Sequence, residues 1–67
     1  MISILVNEKR MQIEENSNVL HLLEKLKTSH NGIAVAINNK VITKDFWKYE
    51  IFFENDAVLI IQASQGG

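Results

Sequence analysis

The first apolar and polar positions of the chain alternate and predict a β-hairpin. Residues 2–7 place Ile2, Ile4 and Val6 on one side of a strand, and their aliphatic character favours extended backbone. The polar residues 7–9 predict a turn. A second strand follows, in which Met11 and Ile13 alternate with polar residues, as in a strand with one solvated face. Two strands this close in sequence are expected to pair antiparallel.

A stripe of apolar residues at helical spacing follows the hairpin. It consists of Val19, Leu22, Leu23 and Leu26. This spacing predicts one amphipathic α-helix. Asn18 is the expected N-cap, because its side chain can accept from free N–H groups of the first turn, and Ser17 is the alternative. Gly32, preceded by Asn31, is expected to end the helix.

The second half of the chain predicts short elements separated by turns. Residues 33–37 form an apolar run bounded by turn residues, which indicates a buried strand. Asn38 and Asn39 tolerate positive φ and predict a tight turn before an extended piece at residues 41–42. Residues 43–45 are expected to begin a single helical turn carrying Phe46 and Trp47 as core or lid residues. Residues 49–53 fit a loop or a short strand, and residues 54–56 a turn.

Residues 57–63 predict a last strand that is apolar on both faces. Val58 and Ile60 point to one side, and Leu59 and Ile61 point to the other. Two apolar faces indicate a central strand covered on both sides, or one face that meets a partner.

The order of elements predicts an α+β fold, in which a mixed sheet of four to five strands packs on one main helix. The last strand can lie between earlier strands and parallel to the first, a layout similar to that of a ubiquitin-like β-grasp domain. We expect residues 1–67 to form a single domain, with residues 63–67 as a flexible tail.

Composition excludes several functional classes. The 67 residues carry a net charge of −1, so there is no basic footprint for nucleic acid or for an anionic membrane. The chain has no cysteine, and therefore no thiolate nucleophile and no Cys metal site. His21 and His30 have no metal-ligand spacing and are expected on the surface. No signal peptide or membrane segment is evident, so the expected compartment is the cytoplasm, or the plastid stroma if the protein is organellar.

The chain ends in Gln65-Gly66-Gly67. Glycine has no side chain and adopts conformations closed to other residues, which lets the backbone approach another surface closely. Four residues beyond a strand that ends at residue 63 span at most about 14 Å. We expect a short, slim arm, the alternative being a frayed end whose glycines are incidental.

Taken together, these segments resemble the ThiS family, the small sulfur carriers of thiazole formation in thiamin biosynthesis. The resemblance covers essentially the whole chain. It rests on Asn18-Val19 with Leu22-Leu23 and Leu26, residues 34–38, Val41-Ile42 with Trp47, Asp56 before the last strand, and Gly66-Gly67. The chain departs from the family pattern at Asn38-Asn39, Thr43-Lys44, Asn55-Asp56 and Ser64. The first three changes lie in turns or on the surface, whereas Ser64, with Lys44, could alter contact with a partner enzyme.

The resemblance implies a function for the chain end. An E1-like adenylyltransferase would use ATP and Mg²⁺ to adenylate the carboxylate of Gly67, which sulfur from a donor such as a cysteine desulfurase would convert to a thiocarboxylate for a thiazole synthase. Gly66 and Gln65 would thread into the partner's active site. The chain itself is expected to have no catalytic residue, to bind no metal or cofactor, and to be a monomer when free.

Leu59 and Ile61 are the expected docking residues for the partner enzymes, on the sheet face away from the helix. The alternative is that both pack beneath Phe46, Trp47 or Phe53.

Three other functions compete with the thiazole carrier. The small subunit of molybdopterin synthase shares the Gly-Gly end, and co-purification with one or the other synthase separates the two. A ubiquitin-like protein modifier would form isopeptide conjugates with lysine. A plain binding module would be indifferent to the loss of Gly67.

Overall fold

The computed structural model describes residues 1–62, which form five strands, one α-helix and a short 3-10 helix. The strands are β1 (Ile2–Val6), β2 (Lys9–Ile13), β3 (Ile33–Ile37), β4 (Lys40–Ile42) and β5 (Ala57–Gln62). The helix α1 (Val19–Lys25) lies between β2 and β3, and the 3-10 helix (Lys44–Phe46) follows β4. The predicted order of elements is therefore confirmed.

The strands form one mixed sheet in the order β2-β1-β5-β3-β4. The last strand lies at the centre, parallel to β1 and antiparallel to β3. The two hairpins, β1–β2 and β3–β4, pair antiparallel on either side of it. The expectation that β5 runs between earlier strands and parallel to the first is confirmed.

Both hairpins close through two residues with positive φ. Asn7 and Glu8 have φ of 50° and 69°, and Asn38 and Asn39 have φ of 52° and 71°. Positive φ at both central residues defines the turn whose twist matches the flanking strands, and asparagine is favoured there. The tight turn predicted at Asn38-Asn39 is confirmed. The first turn is one residue shorter than predicted, because Lys9 already pairs with Val6.

Asn18 is the N-cap of α1, as predicted. Its Oδ1 accepts from the His21 N–H at 2.8 Å, and the Asn18 N–H donates to His21 Nδ1 at 3.0 Å. These reciprocal bonds satisfy two donors that a helix start leaves free. Ser17 does not cap the helix, since its hydroxyl donates to the Glu14 carbonyl at 2.6 Å.

The helix ends earlier than predicted, at Lys25 rather than near Gly32. Lys27 adopts positive φ of 57°, its N–H donates to the Glu24 carbonyl, and the Thr28 N–H donates to the Leu23 carbonyl. This pair of bonds is the Schellman ending, which usually uses glycine or asparagine at the left-handed residue. Leu26, the expected last member of the buried stripe, is the exposed C-cap residue.

The core lies between α1 and one face of the sheet. It comprises Ile4, Val6, Ile13, Val19, Leu22, Leu23, Val35, Ile37, Ile42, Trp47, Phe52 and Val58. The Trp47 indole is buried and its Nε1–H donates to the Ile42 carbonyl at 2.9 Å. The adjacent Phe46, expected as a core or lid residue, is 59% exposed. Only the tryptophan of this pair therefore contributes to the core.

The segment after the 3-10 helix fastens the start of α1. The Val19 N–H donates to the Trp47 carbonyl at 3.2 Å, and the Phe52 N–H donates to the Ser17 carbonyl at 3.0 Å. Asn18 and Ile51 form an isolated antiparallel bridge. Residues 49–53 are thus a loop with a single bridge rather than a strand, and Phe52 is buried while Phe53 is exposed.

One histidine lies where we expected it and the other does not. His21 is exposed, but His30 is half-buried, with its ring edge-on to Trp47 at 6.4 Å between centroids. Within residues 1–62, no helix has the length and apolar character needed to cross a bilayer.

Candidate functional site

The central strand β5 has one buried side and one exposed side. Val58 is 3% exposed and faces α1, whereas Leu59 and Ile61 are 47% and 53% exposed on the opposite side. Successive residues of a strand point to opposite faces, so this contrast follows from the alternation itself. The sequence allowed two interpretations of this apolar strand: both faces covered, or one face that meets a partner. The first is wrong, because no second layer covers this face within residues 1–62. The alternative in which Leu59 and Ile61 pack beneath the aromatic residues is wrong.

Neighbouring strands extend the exposed apolar surface around Leu59 and Ile61. We call this surface the open face; it comprises Leu5, Ala36, Val41, Ala57, Leu59 and Ile61, which line one shallow depression. In the register, Ala36 lies between Leu59 on one side and Val41 on the other, and Leu5 lies beside Ala57. Small alanines separate the larger side chains, so the surface is shallow, and it suits contact with another surface better than enclosure of a small ligand.

Four members of the open face were not predicted: Leu5, Val41 and the two alanines. Val41 is 67% exposed, and Leu5 is half-buried on the same side of the sheet. Alternation within β1 places Leu5 on the face opposite to that of the core residues Ile4 and Val6, so the sequence contained a signal for the position of Leu5. No such signal existed for Val41, because β4 is only three residues long.

Polar side chains fix the turn that leads into β5. The Asp56 carboxylate accepts from the Phe53 N–H at 2.9 Å and from Asn38 Nδ2 at 3.0 Å. Asn38 Oδ1 in turn accepts from the Ala57 N–H at 3.0 Å. These bonds tie the start of β5 to the β3–β4 hairpin, and they give Asp56 a structural task within the described part of the chain.

The predicted reactive and threading residues lie outside the described residues. These are Gln65, Gly66 and Gly67, together with residue 63 of the predicted strand and Ser64. The described chain reaches Gln62, the last residue of β5, so Gly67 follows the central strand by five residues of sequence.

A metal centre has no support in the described part of the chain. No group of three or more His, Cys, Asp or Glu side chains among residues 1–62 is arranged to hold a metal ion. The buried side-chain N and O atoms there all have hydrogen-bond partners. The apolar open face beside the central strand is therefore the candidate site.

The topology and the single helix on one face define the class of protein. A five-stranded mixed sheet in the order β2-β1-β5-β3-β4, with β5 parallel to β1, is a ubiquitin-like β-grasp domain. Its central strand is also its last, and the residues after that strand are the ones predicted to react.

Comparison with known proteins identifies the family within this class. The model of the ThiS family matches residues 3–67. The chain is 33% identical over 66 residues to the sulfur carrier protein ThiS of Escherichia coli strain K12, covering 98% of this chain and all of the relative. The crystal structure of a thiamine biosynthesis protein, ThiS, from Geobacter metallireducens superposes with a TM-score of 0.84 at 26% identity, covering 98% of this chain and all of that one. The chain belongs to the ThiS family.

Proposed function

We propose that this protein is a sulfur carrier of thiamine biosynthesis whose Gly67 carboxylate is activated, sulfurated and then used as the sulfur donor for thiazole formation. Family membership supports this proposal, because the family match extends through Gly66 and Gly67. A relative that is covered over its whole length is a sulfur carrier protein. The protein acts as a co-substrate of other enzymes rather than as an enzyme, and the cytoplasm stays its predicted compartment.

The proposed chemistry begins at the carboxylate, which is a poor electrophile at neutral pH. A carboxylate oxygen of Gly67 attacks the α-phosphorus of ATP in a partner adenylating enzyme, which releases pyrophosphate and forms an acyl adenylate. A sulfur nucleophile, formally hydrosulfide derived from cysteine, then adds to the Gly67 carbonyl carbon. AMP leaves with the electron pair of the broken C–O bond, and a thiocarboxylate remains. The partner supplies ATP, Mg²⁺ and the catalytic groups.

This chain contributes a surface for the partner enzymes to recognise and a terminal segment that enters the partner's active site. Gly66 and Gly67 lack side chains, so the backbone can pass through a narrow entrance and approach the ATP α-phosphate closely. Gln65 lies just before them in the threading segment. We assign docking on the adenylating enzyme and on the thiazole synthase to the open face around Leu59 and Ile61, because it is the exposed apolar surface on the strand that leads to the reactive end.

The decisive observation is the product on the chain end. Intact mass spectrometry of protein purified from its own host is expected to reveal a species in which one sulfur replaces one oxygen. Conjugates with lysine side chains, seen as a ladder on a denaturing gel, would favour the protein modifier instead. Co-purification with a large molybdopterin synthase subunit would favour the molybdopterin carrier.

Deletion of Gly67 tests the site directly. We expect the truncated protein to support no ATP–pyrophosphate exchange by its adenylating enzyme, while its thermal unfolding midpoint stays unchanged, because the core lies between residues 4 and 58. Gly67→Ala separates chain length from the need for glycine: it keeps the carboxylate at the original chain length but adds a side chain, so exchange well below wild type in this variant would support the narrow entrance. Wild-type exchange in the truncated protein would overturn the assignment of Gly67.

A further inference from the structure

The side chain of Asn7 makes two hydrogen bonds to the backbone of Ile60, 53 residues away in sequence. Its Oδ1 accepts from the Ile60 N–H at 2.8 Å, and its Nδ2 donates to the Ile60 carbonyl at 3.4 Å. A carboxamide offers the same donor and acceptor as a peptide group. The Asn7 side chain therefore supplies β5 with one hydrogen-bond acceptor and one donor, as the backbone of a further residue in a neighbouring strand would.

This contact occurs where the pairing of β5 is one-sided. Along β3, the pairing extends over the strand as far as Gln62. Along β1, it covers only Ala57 and Val58, because the chain turns away at Asn7. The Asn7 N–H still donates to the Val58 carbonyl at 2.9 Å, and its side chain then continues the ladder to Ile60. Without the carboxamide, β5 would be held from Leu59 onward by β3 alone.

Asn38 is the structural counterpart of Asn7 at the opposite end of β5. Both are first residues of two-residue turns, with φ of 52° and 50°. Asn38 Oδ1 accepts from the Ala57 N–H, whereas Asn7 Oδ1 accepts from the Ile60 N–H. One asparagine thus holds the beginning of the central strand, and the other holds it near the end that leads to Gly67.

We propose that Asn7 is a positioning residue for the carboxyl-terminal arm. By holding β5 on both sides as far as Ile60, it keeps the base of the arm from pivoting about the β3 edge. It thereby directs the Gly67 carboxylate toward the α-phosphate once the open face has docked. The inference rests on the proposed function of Gly67. We expect Asn7 to act through β5, and its effect to fall on the turnover step, in which small displacements of reacting groups have large effects on rate.

Amide hydrogen exchange tests the contact without any partner enzyme. Asn7→Gly keeps the backbone free to adopt positive φ but removes the carboxamide. We expect exchange of the Ile60 amide to accelerate about tenfold, the effect of losing one hydrogen bond. Exchange of the Leu5 amide, which donates to the Asp56 carbonyl at 2.9 Å, serves as the internal reference and should be unchanged. Asn38→Gly, the matched control, should accelerate the Ala57 amide instead.

Adenylation kinetics test the positioning role. With ATP and the adenylating enzyme of its own host, Asn7→Gly is expected to lower kcat about tenfold at saturating carrier. Asn7 also borders the depression of the open face, so any change in KM reports on docking, and the fall in kcat is the readout of positioning. Asn38→Gly is expected to leave kcat unchanged. Asn7→Asp retains the shorter bond to the Ile60 N–H and should give an intermediate kcat, which keeps the test informative if Asn7→Gly folds poorly.

Four results would contradict the proposal. Unchanged Ile60 exchange in Asn7→Gly would refute the contact. If Asn7→Gly accelerates exchange of the Ile60 amide but keeps a wild-type kcat, Asn7 has a structural role only. The same conclusion follows if Asn38→Gly loses as much kcat as Asn7→Gly. If the wild-type protein itself is not adenylated, the proposed function of Gly67 fails and the positioning role fails with it, whereas the exchange result at Ile60 is independent of that outcome.

Discussion

The two faces of the central strand differ in burial, and we assign stability to the covered face and docking to the open face. Val58 is 3% exposed and packs under α1, while Leu59, the next residue, is 47% exposed on the open face. Both side chains are aliphatic, so composition does not distinguish them. What separates them is the single helix, which covers one face of the sheet and leaves the other uncovered in the described chain.

The comparison shows how so small a domain can present an apolar surface on the same strand that leads to the proposed reactive residue, Gly67. A 67-residue chain has a small core, and its stability is of the order of 3–10 kcal/mol. One strand here contributes to the core with every second residue and presents the others outward. The proposed docking surface therefore lies on the central strand, which has a neighbouring strand on each side.

The largest expected effect comes from placing a charge on the covered face. In the register, Val58 lies between Val6 and Ile37, and both of these neighbours are buried. Val58→Asp would bury a carboxylate without a partner. This costs several kcal/mol, which is comparable to the whole free energy of unfolding of a domain this size. We expect far-ultraviolet circular dichroism to show no cooperative unfolding transition. A thermal midpoint within a few degrees of wild type would contradict the assignment of this face to the core.

A smaller effect is expected from loosening the helix that covers this face. Asn18→Ala removes the cap bond to the His21 N–H and the bond from Asn18 Nδ2 to the Lys48 carbonyl at 3.1 Å. The expected loss is about 1–2 kcal/mol in the free energy of unfolding by urea. Asn18→Asp, the matched control, keeps the cap acceptor and should lose less than Asn18→Ala. Equal losses in the two variants would mean that the cap bond contributes little.

The division between the faces was largely predictable from the sequence, since alternation needs only local information. The same signal predicted strands and identified Leu59 and Ile61 as a pair opposite Val58 and Ile60, but it left open whether both faces of β5 are covered. The position of β5 between earlier strands was predicted from the order of elements. The resemblance to the ThiS family added the proposed role of the Gly67 carboxylate, which no pattern of apolar residues could supply.

The errors fall where local pattern carries no information. The helix ends through positive φ at Lys27, and lysine has no special preference for that conformation. Of the neighbouring pairs Phe46-Trp47 and Phe52-Phe53, one member of each is buried, but outside a regular element there is no periodicity to indicate which. The bond from the Ile60 N–H to Asn7 Oδ1 joins β5 to the turn of the first hairpin, 53 residues away in sequence, so it became visible only in the fold.

The smallest loss of stability is expected when aspartate is introduced one residue later, at Leu59 instead of Val58. This variant is also the most direct test of the difference between the two faces. Leu59→Asp places its carboxylate on the open face, where water solvates it, so the free energy of unfolding should fall by about 1 kcal/mol or less, mainly through lost β-propensity and partial burial. The charge nevertheless lies in the middle of the proposed docking surface. We therefore expect kcat/KM for adenylation to fall at least about tenfold, through a raised KM, because an apolar contact would have to bury the carboxylate.

Gln12→Asp is the control for charge alone. Gln12 pairs with Ser3 on the open side of the sheet, on the edge strand β2, and it is not part of the apolar depression. The same charge placed there should leave both stability and KM near wild type. If Leu59→Asp is adenylated normally, the open face is not where the adenylating enzyme docks. If instead Leu59→Asp unfolds as Val58→Asp does, the two faces do not differ in the way their exposure indicates, because the burial cost of a half-exposed carboxylate is too small to unfold the domain.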